Sequence, residues 1–182
     1  LRCYVAGRPP VSNMYESVIW VAFGALVFSA ILYSRLKNTL LLAVGSWISG
    51  LVLLSADASP LVLDPTISPL VPVLRSNYWL TIHVLTITAS YAAFALCMGL
   101  GNIALGWAAR NRLRPLEGFE RKFQVLNQLN YRAMQIGVVL LAAGTILGGV
   151  GADESWGRFW GWDPKEVWAL TALLVYIAIL HG

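Results

Sequence analysis

Residues 76–109 read SNYWLTIHVLTITASYAAFALCMGLGNIALGWAA, and no Asp, Glu, Lys or Arg interrupts them. About 20 apolar residues suffice to cross the ~30 Å hydrocarbon core of a bilayer. A helix as long as this one must tilt or project beyond the lipid. Working outward, spans are expected at 16–34, 39–56, 78–108, 133–150 and 164–181. Composition agrees: 58% of the residues are hydrophobic and only 12% are charged, about half the charge of an ordinary soluble domain. The mean hydropathy is +0.66. The expected fold is an all-α membrane protein, a single membrane domain over 1–182 with about five transmembrane helices. The chain opens Leu1-Arg2-Cys3 and stops at Gly182 directly after an apolar run, which reads as a piece of a longer membrane protein.

The connections set an orientation. Segment 35–38 carries Arg35 and Lys37; segment 109–132 carries Arg110, Arg112, Arg114, Arg121, Lys122 and Arg132. These are eight basic residues against two acidic ones, Glu117 and Glu120. The other side holds five basic residues (Arg2, Arg8, Arg75, Arg158, Lys165) against seven acidic ones. Basic residues gather in cytoplasmic loops. Segment 109–132 is therefore expected to be a cytoplasmic basic loop, while the N-terminus, the 57–77 loop and residues 151–163 face outward. The net charge of +4 is then a topology signal, and nucleic acid is not an expected partner.

Local signals mark the helix ends. Asp163, Pro164 and Glu166 place a cap, a proline at the first helical position and a glutamate at N3, the pattern of a capping box. Asn13 and Glu16 offer the same arrangement for the first span. Four prolines in 57–77 (Pro60, Pro65, Pro69, Pro72) preclude one regular helix there. Leu116, Phe119, Phe123, Leu126 and Leu129 or Asn130 recur at helical spacing, which predicts a short helix lying on the inner surface. Gly144 and Gly148 have the spacing of a close helix–helix contact. Cys3 and Cys97 are too far apart in sequence for a C-x-x-C pair, and Cys97, in mid-span, reads as a small hydrophobe.

Between the last two spans the chain reads WGRFWGWD at 156–163, and PKEVWAL follows at 164–170. Trp is enriched in interfacial belts generally. A belt scatters its aromatics, however, whereas five of the fourteen Trp and Phe residues fall within 156–168. Trp156 and Trp160 are four apart and share a face if that stretch is helical. An aromatic platform of Trp156, Phe159, Trp160 and Trp162 at a membrane–water boundary suits a planar, apolar, anionic ligand, of which haem is the obvious case. Arg158 and Lys165 are cations placed to pair with its propionates; Arg75 is a weaker candidate on the same side. Asp163 and Glu166 are most simply caps, with Asp163 also counted at the site.

There are two histidines. If Trp107 marks the inner boundary of its span, the outer boundary lies about 20 residues back, and His83 sits at or just beyond it, level with the tryptophans. His181 ends a helix that starts beside them, so it is roughly 25 Å deeper at 1.5 Å per residue. Axial ligands of one iron stand only about 4 Å apart, given metal–imidazole bonds of about 2 Å. His83 and His181 therefore cannot ligate the same iron.

WGRFWGWD with its DPKEVWA continuation resembles the WWD signature of haem-handling membrane proteins of cytochrome c biogenesis. It is most similar to the system II CcsA/ResC family. The stretches PVSNMYES (10–17), VPVLRSNYWLTIHV (71–84), NYRA (130–133) and the final L-H (180–181) carry the same resemblance over most of the chain. What the resemblance implies is specific. His83 looks like the outer histidine before the motif, an axial ligand of haem held against the platform, and His181 like the ligand within the membrane. The outer histidine that follows the motif in the family has no counterpart within 1–182. One further departure lies at Gly151, where relatives often carry another tryptophan.

The function this resemblance implies is the haem-handling core of a cytochrome c synthase. It moves haem b to the outer face and presents it for thioether attachment to the C-x-x-C-H motif of apocytochrome c. The implied partners are apocytochrome c, a ResB-like assembly protein (separate or fused) and the lipid membrane; the implied lyase activity belongs to the full-length protein or complex. A bacterial plasma membrane is favoured over a thylakoid. Two other classes compete. A haem exporter or chaperone would present haem without forming the bond, and an unrelated multi-pass permease would place ionisable groups or broken helices near mid-membrane, where these spans carry almost none.

Overall fold

The computed structural model describes residues 2–7, 9–67 and 77–182, without the side chains of Asn77 and Leu80. Arg8, Arg75 and the 68–76 part of the 57–77 loop therefore lie outside the described residues. The elements are α1 (Arg2–Ala6), α2 (Met14–Leu36), α3 (Thr39–Asp57), α4 (Asn77–Trp79), a π-helical turn (Leu80–Val84), α5 (Leu85–Leu113), α6 (Phe119–Trp156) and α7 (Pro164–His181). No strand occurs among the described residues. Five helices are long and apolar enough to cross a membrane, as expected for an integral membrane protein.

The α2–α3 hairpin follows from two residues. Lys37 closes α2 in the left-handed region (φ 53°), and Asn38 caps α3 by accepting from the Leu40 N–H. Because lipid tails are as apolar as leucine, helices in a bilayer associate through close packing and hydrogen bonds more than through the hydrophobic effect. Here Ser49 Oγ donates to the Ala22 carbonyl across the hairpin at 2.6 Å, a bond of the kind worth roughly 0.6–2 kcal/mol in membranes. Helix α5 then enters over Gly99, where any Cβ would lie 2.6 Å from Val44. Leu41, Val44 and Ile48 of α3 meet Leu96 and Leu100 of α5 and Leu126, Leu129 and Ala133 of α6 in one buried cluster.

That cluster explains a difference from expectation. The apolar stripe at 116–130 belongs to no separate surface helix: α6 runs unbroken for 38 residues from Phe119, so the fourth span and the predicted short helix are one rod. Leu126 and Leu129 pack on α5 rather than on lipid headgroups, and no proline interrupts 119–156. The basic loop expected over 109–132 shrinks to the 114–118 connection, because α5 itself continues to Leu113. Its turn is held by Asn111 Oδ1, which accepts from Leu116 N–H, and by Gly118 at φ 66°. At 1.5 Å per residue α6 is roughly 57 Å long, almost twice the hydrocarbon thickness.

Helix α7 lies against α5 and α6 through Leu173, Tyr176 and Leu180, which pack on Phe94, Val138 and Leu141. The Phe94 and Tyr176 rings stack at 3.9 Å and 3°, with Phe94 seated over Gly137. None of the α7 residues is fully buried. At the start of α2, Asn13 caps the helix as expected, but Glu16 reaches past it to accept from Ser12 N–H and Oγ (3.0 and 2.6 Å), so this is not a reciprocal capping box. Arg2 and Asn13 tie that segment to the carbonyls of Pro65 and Thr66.

Candidate functional site

Three elements converge at the Asp163 end of α7 on a cavity of about 310 Å³, at the lower end of the range for small-molecule sites. The first supplies His83, Ile87 and Tyr91, spaced four apart and so on one face of the π-turn–α5 rod. The second, α6, contributes Thr145, Gly148, Gly149, Ala152 and Trp156. The third, the segment entering α7, contributes Trp160, Asp163, Lys165, Glu166 and Ala169.

His83 is held tightly. It sits in the π-turn, a feature often found at functional sites, and Thr86 Oγ1 donates to the Ile82 carbonyl beneath it. Its Nδ1 is 2.8 Å from the Gly144 carbonyl. A carbonyl only accepts, so Nδ1 carries a proton, and Nε2 is the ring nitrogen left over for a metal. The half-buried ring lies over Gly148, where a Cβ would come within 2.6 Å of Cε1. The paired glycines thus divide their work: Gly144 meets the Ile87 backbone, a close helix contact as expected, while Gly148 makes room for the imidazole.

The segment 157–163 is not helical. Helix α6 ends at Trp156 with Gly157 at φ 68°, and α7 starts at Pro164. Trp156 and Trp160 nevertheless line the same cavity, through a turn rather than a shared helical face. The capping box at Asp163 is complete: Asp163 Oδ1 accepts from Lys165 and Glu166 N–H (2.8 and 3.0 Å), and Glu166 Oε2 accepts from Gly161 and Asp163 N–H (2.7 and 3.3 Å). Glu166 therefore braces the tryptophan turn as well as the helix.

A family model for cytochrome c assembly proteins matches residues 11–182. The chain belongs to the cytochrome c assembly protein family. Over its whole length it is 40% identical to protein NrfI of Wolinella succinogenes, of which it covers 19%. It is 36% identical to the cytochrome c biogenesis protein CcsA of Synechococcus sp. (68% of that protein covered) and 34% identical to CcsA of Prochlorococcus marinus (66% covered). The chain thus spans about a fifth of NrfI and about two thirds of the CcsA relatives. No solved structure matches it.

For this cytochrome c assembly protein the structure brings together five of the nine residues singled out from sequence: His83, Trp156, Trp160, Asp163 and Lys165. The other four stand elsewhere. Phe159 covers Gly149, and the Arg158 guanidinium folds onto Gly161. Trp162, in the left-handed region at φ 58°, is exposed and meets Trp160 edge-on at 86°, so the tryptophans do not form one flat platform. His181 is at the far end of α7, exposed, its Nδ1 2.8 Å from the Ile177 carbonyl. Sequence reasoning missed Tyr91, although the four-residue spacing from His83 through Ile87 was there to be followed. It also missed Trp79, whose ring covers Gly151 and whose indole N–H donates to Glu154. An aromatic side chain from another helix thus occupies the face at Gly151.

Proposed function

We propose that the chain is the haem-handling core of a cytochrome c synthase, holding haem b as its substrate at the outer membrane face. The observation that carries this reading is the company His83 keeps: an imidazole with Nδ1–H committed to Gly144, lining one cavity with Trp156 and Trp160 at the end of a span. That donor set fits an iron tetrapyrrole, with one axial nitrogen, aromatic walls and a cation, Lys165, for a propionate. The names of its relatives, cytochrome c biogenesis proteins, support a role in cytochrome c maturation. The basic inner connection supports an outward-facing tryptophan turn.

In the reaction served, each thiol S–H of the apocytochrome C-x-x-C-H motif adds across a vinyl C=C, sulfur to one carbon and hydrogen to the other, with no net redox change. The protein's share is binding and orientation. His181, roughly 25 Å along α7 from Pro164, is the proposed ligand of a second, membrane-embedded haem position. Apocytochrome c and a ResB-like protein are the proposed partners.

The test is a reduced-minus-oxidised absorption spectrum of the full-length protein in detergent, as wild type and as His83→Ala and His181→Ala. Haem bands in wild type that weaken or shift in His83→Ala are the expected result. Unchanged bands would remove His83 from the site. Haem bound normally with no thioether product in the reconstituted reaction would point to a haem chaperone.

A further inference from the structure

A second chamber of about 700 Å³ adjoins the His83 cavity, walled by the PVSNMYES segment (Val11, Ser12, Asn13 and the first turns of α2) together with Val52 and Thr88. Tyr91 and Lys165 line both chambers and so form the boundary between them. Among the described residues, neither the Tyr91 hydroxyl nor the Lys165 ammonium has a hydrogen bond or ion pair. The other polar groups nearby are committed. Ser12 Oγ donates to Glu16 and Ser17 Oγ to the Asn13 carbonyl. Thr88 Oγ1 donates to the Val84 carbonyl. The carboxylates of Asp163 and Glu166 are occupied by the backbone N–H groups of the α7 capping box, and the Arg158 guanidinium is folded onto Gly161. Two free donors, one of them cationic, therefore each border both of two mostly apolar spaces.

A carboxylate on a large apolar ligand satisfies both donors at once, and charge-assisted bonds of this kind are the strong ones. We propose that Tyr91 and Lys165 together bind a propionate of the haem at this boundary, Tyr91 being a specificity-determining residue that nothing in the sequence motifs marks. This rests on the haem reading above. The smaller chamber then holds the macrocycle against His83, Trp156 and Trp160, and the larger one receives its propionate edge. The vinyl edge, opposite the propionates on the tetrapyrrole, is turned away from the second chamber and left free for thiol addition.

The test compares iron protoporphyrin IX with its dimethyl ester, in which both carboxylates are masked, by absorbance titration of the detergent-purified protein. Each affinity is corrected for partition into protein-free micelles. Wild type is expected to prefer the free acid by about tenfold or more, the worth of hydrogen bonds to a charged group. Tyr91→Phe and Lys165→Gln should each cut that preference severalfold while leaving the His83-dependent band positions in place. Equal affinity of wild type for acid and ester overturns the proposal, and needs neither variant to fold. A preference that survives Tyr91→Phe removes Tyr91 from the site. If neither porphyrin binds wild type, the haem reading itself fails, an outcome distinct from the other two.

Discussion

The contact between His83 and Gly148 joins residues 65 positions apart, and it sets the sharpest expectation at the scale of single side chains. A methyl group at Gly148 would stand 2.6 Å from Cε1 and 2.9 Å from Nδ1 of the imidazole. The ring must turn, and the Nδ1–H bond to Gly144, worth about 1 kcal/mol, is lost with it. Gly148→Ala is therefore expected to shift or abolish the His83-dependent haem bands while far-UV circular dichroism stays at the wild-type level. Gly50→Ala is the control: that position opens on empty space, and an alanine in a helix there gains about 0.5–1 kcal/mol. Identical spectra for wild type and Gly148→Ala would show that the glycine does not position the ligand. The sequence spacing marked Gly144 and Gly148 as a pair but could not say which one faces a helix backbone and which an imidazole. That depends on where the π-turn places His83, and nothing in LTIHV announces an extra residue in the turn.

At the scale of elements, what lay within one helical turn was readable and what lay between helices was not. The Asp163–Glu166 capping box was legible because its partners are three residues apart. Replacing Asp163 by alanine should cost about 1–2 kcal/mol, read as faster amide hydrogen exchange confined to the first turn of α7; exchange unchanged there would mean the box contributes nothing. The continuity of α6 was not legible. Charge marks where a rod leaves the membrane, not where it ends, so the basic residues at 121, 122 and 132 looked like a boundary inside what is one helix. Spin labels at the exposed positions Gln124 and Val139, in a background with Cys3 and Cys97 replaced, should lie about 22 Å apart between backbones, fifteen residues at 1.5 Å. A markedly shorter separation would restore the bent arrangement, with a surface helix preceding the span.

For the molecule as a whole, the five spans were legible because 58% hydrophobic residues arranged in runs leave few alternatives. The meeting of His83 with Trp156 and Trp160 was legible only as a shared depth. Depth says nothing about which helices are neighbours, so Tyr91 and the second chamber stayed out of reach. The proposed orientation gives a prediction at this scale: in intact cells a membrane-impermeant thiol reagent should label Ser155→Cys and not Glu120→Cys, again with the native cysteines replaced. The reverse pattern would invert the protein and move the site to the inner face. The Phe94–Tyr176 stack has a bearing on traffic between the two histidine depths. Rings 3.9 Å apart leave no slot for a third plane, which needs about 3.5 Å more. On the proposed function, a tetrapyrrole moving from the level of His181 to that of His83 must peel α7 off its neighbours by that margin, or glide along the exposed side bearing Leu174, Val175 and Ile179. On the first of these routes α7 would act as the moving side of a zip fastener, with Leu173, Tyr176 and Leu180 as its teeth.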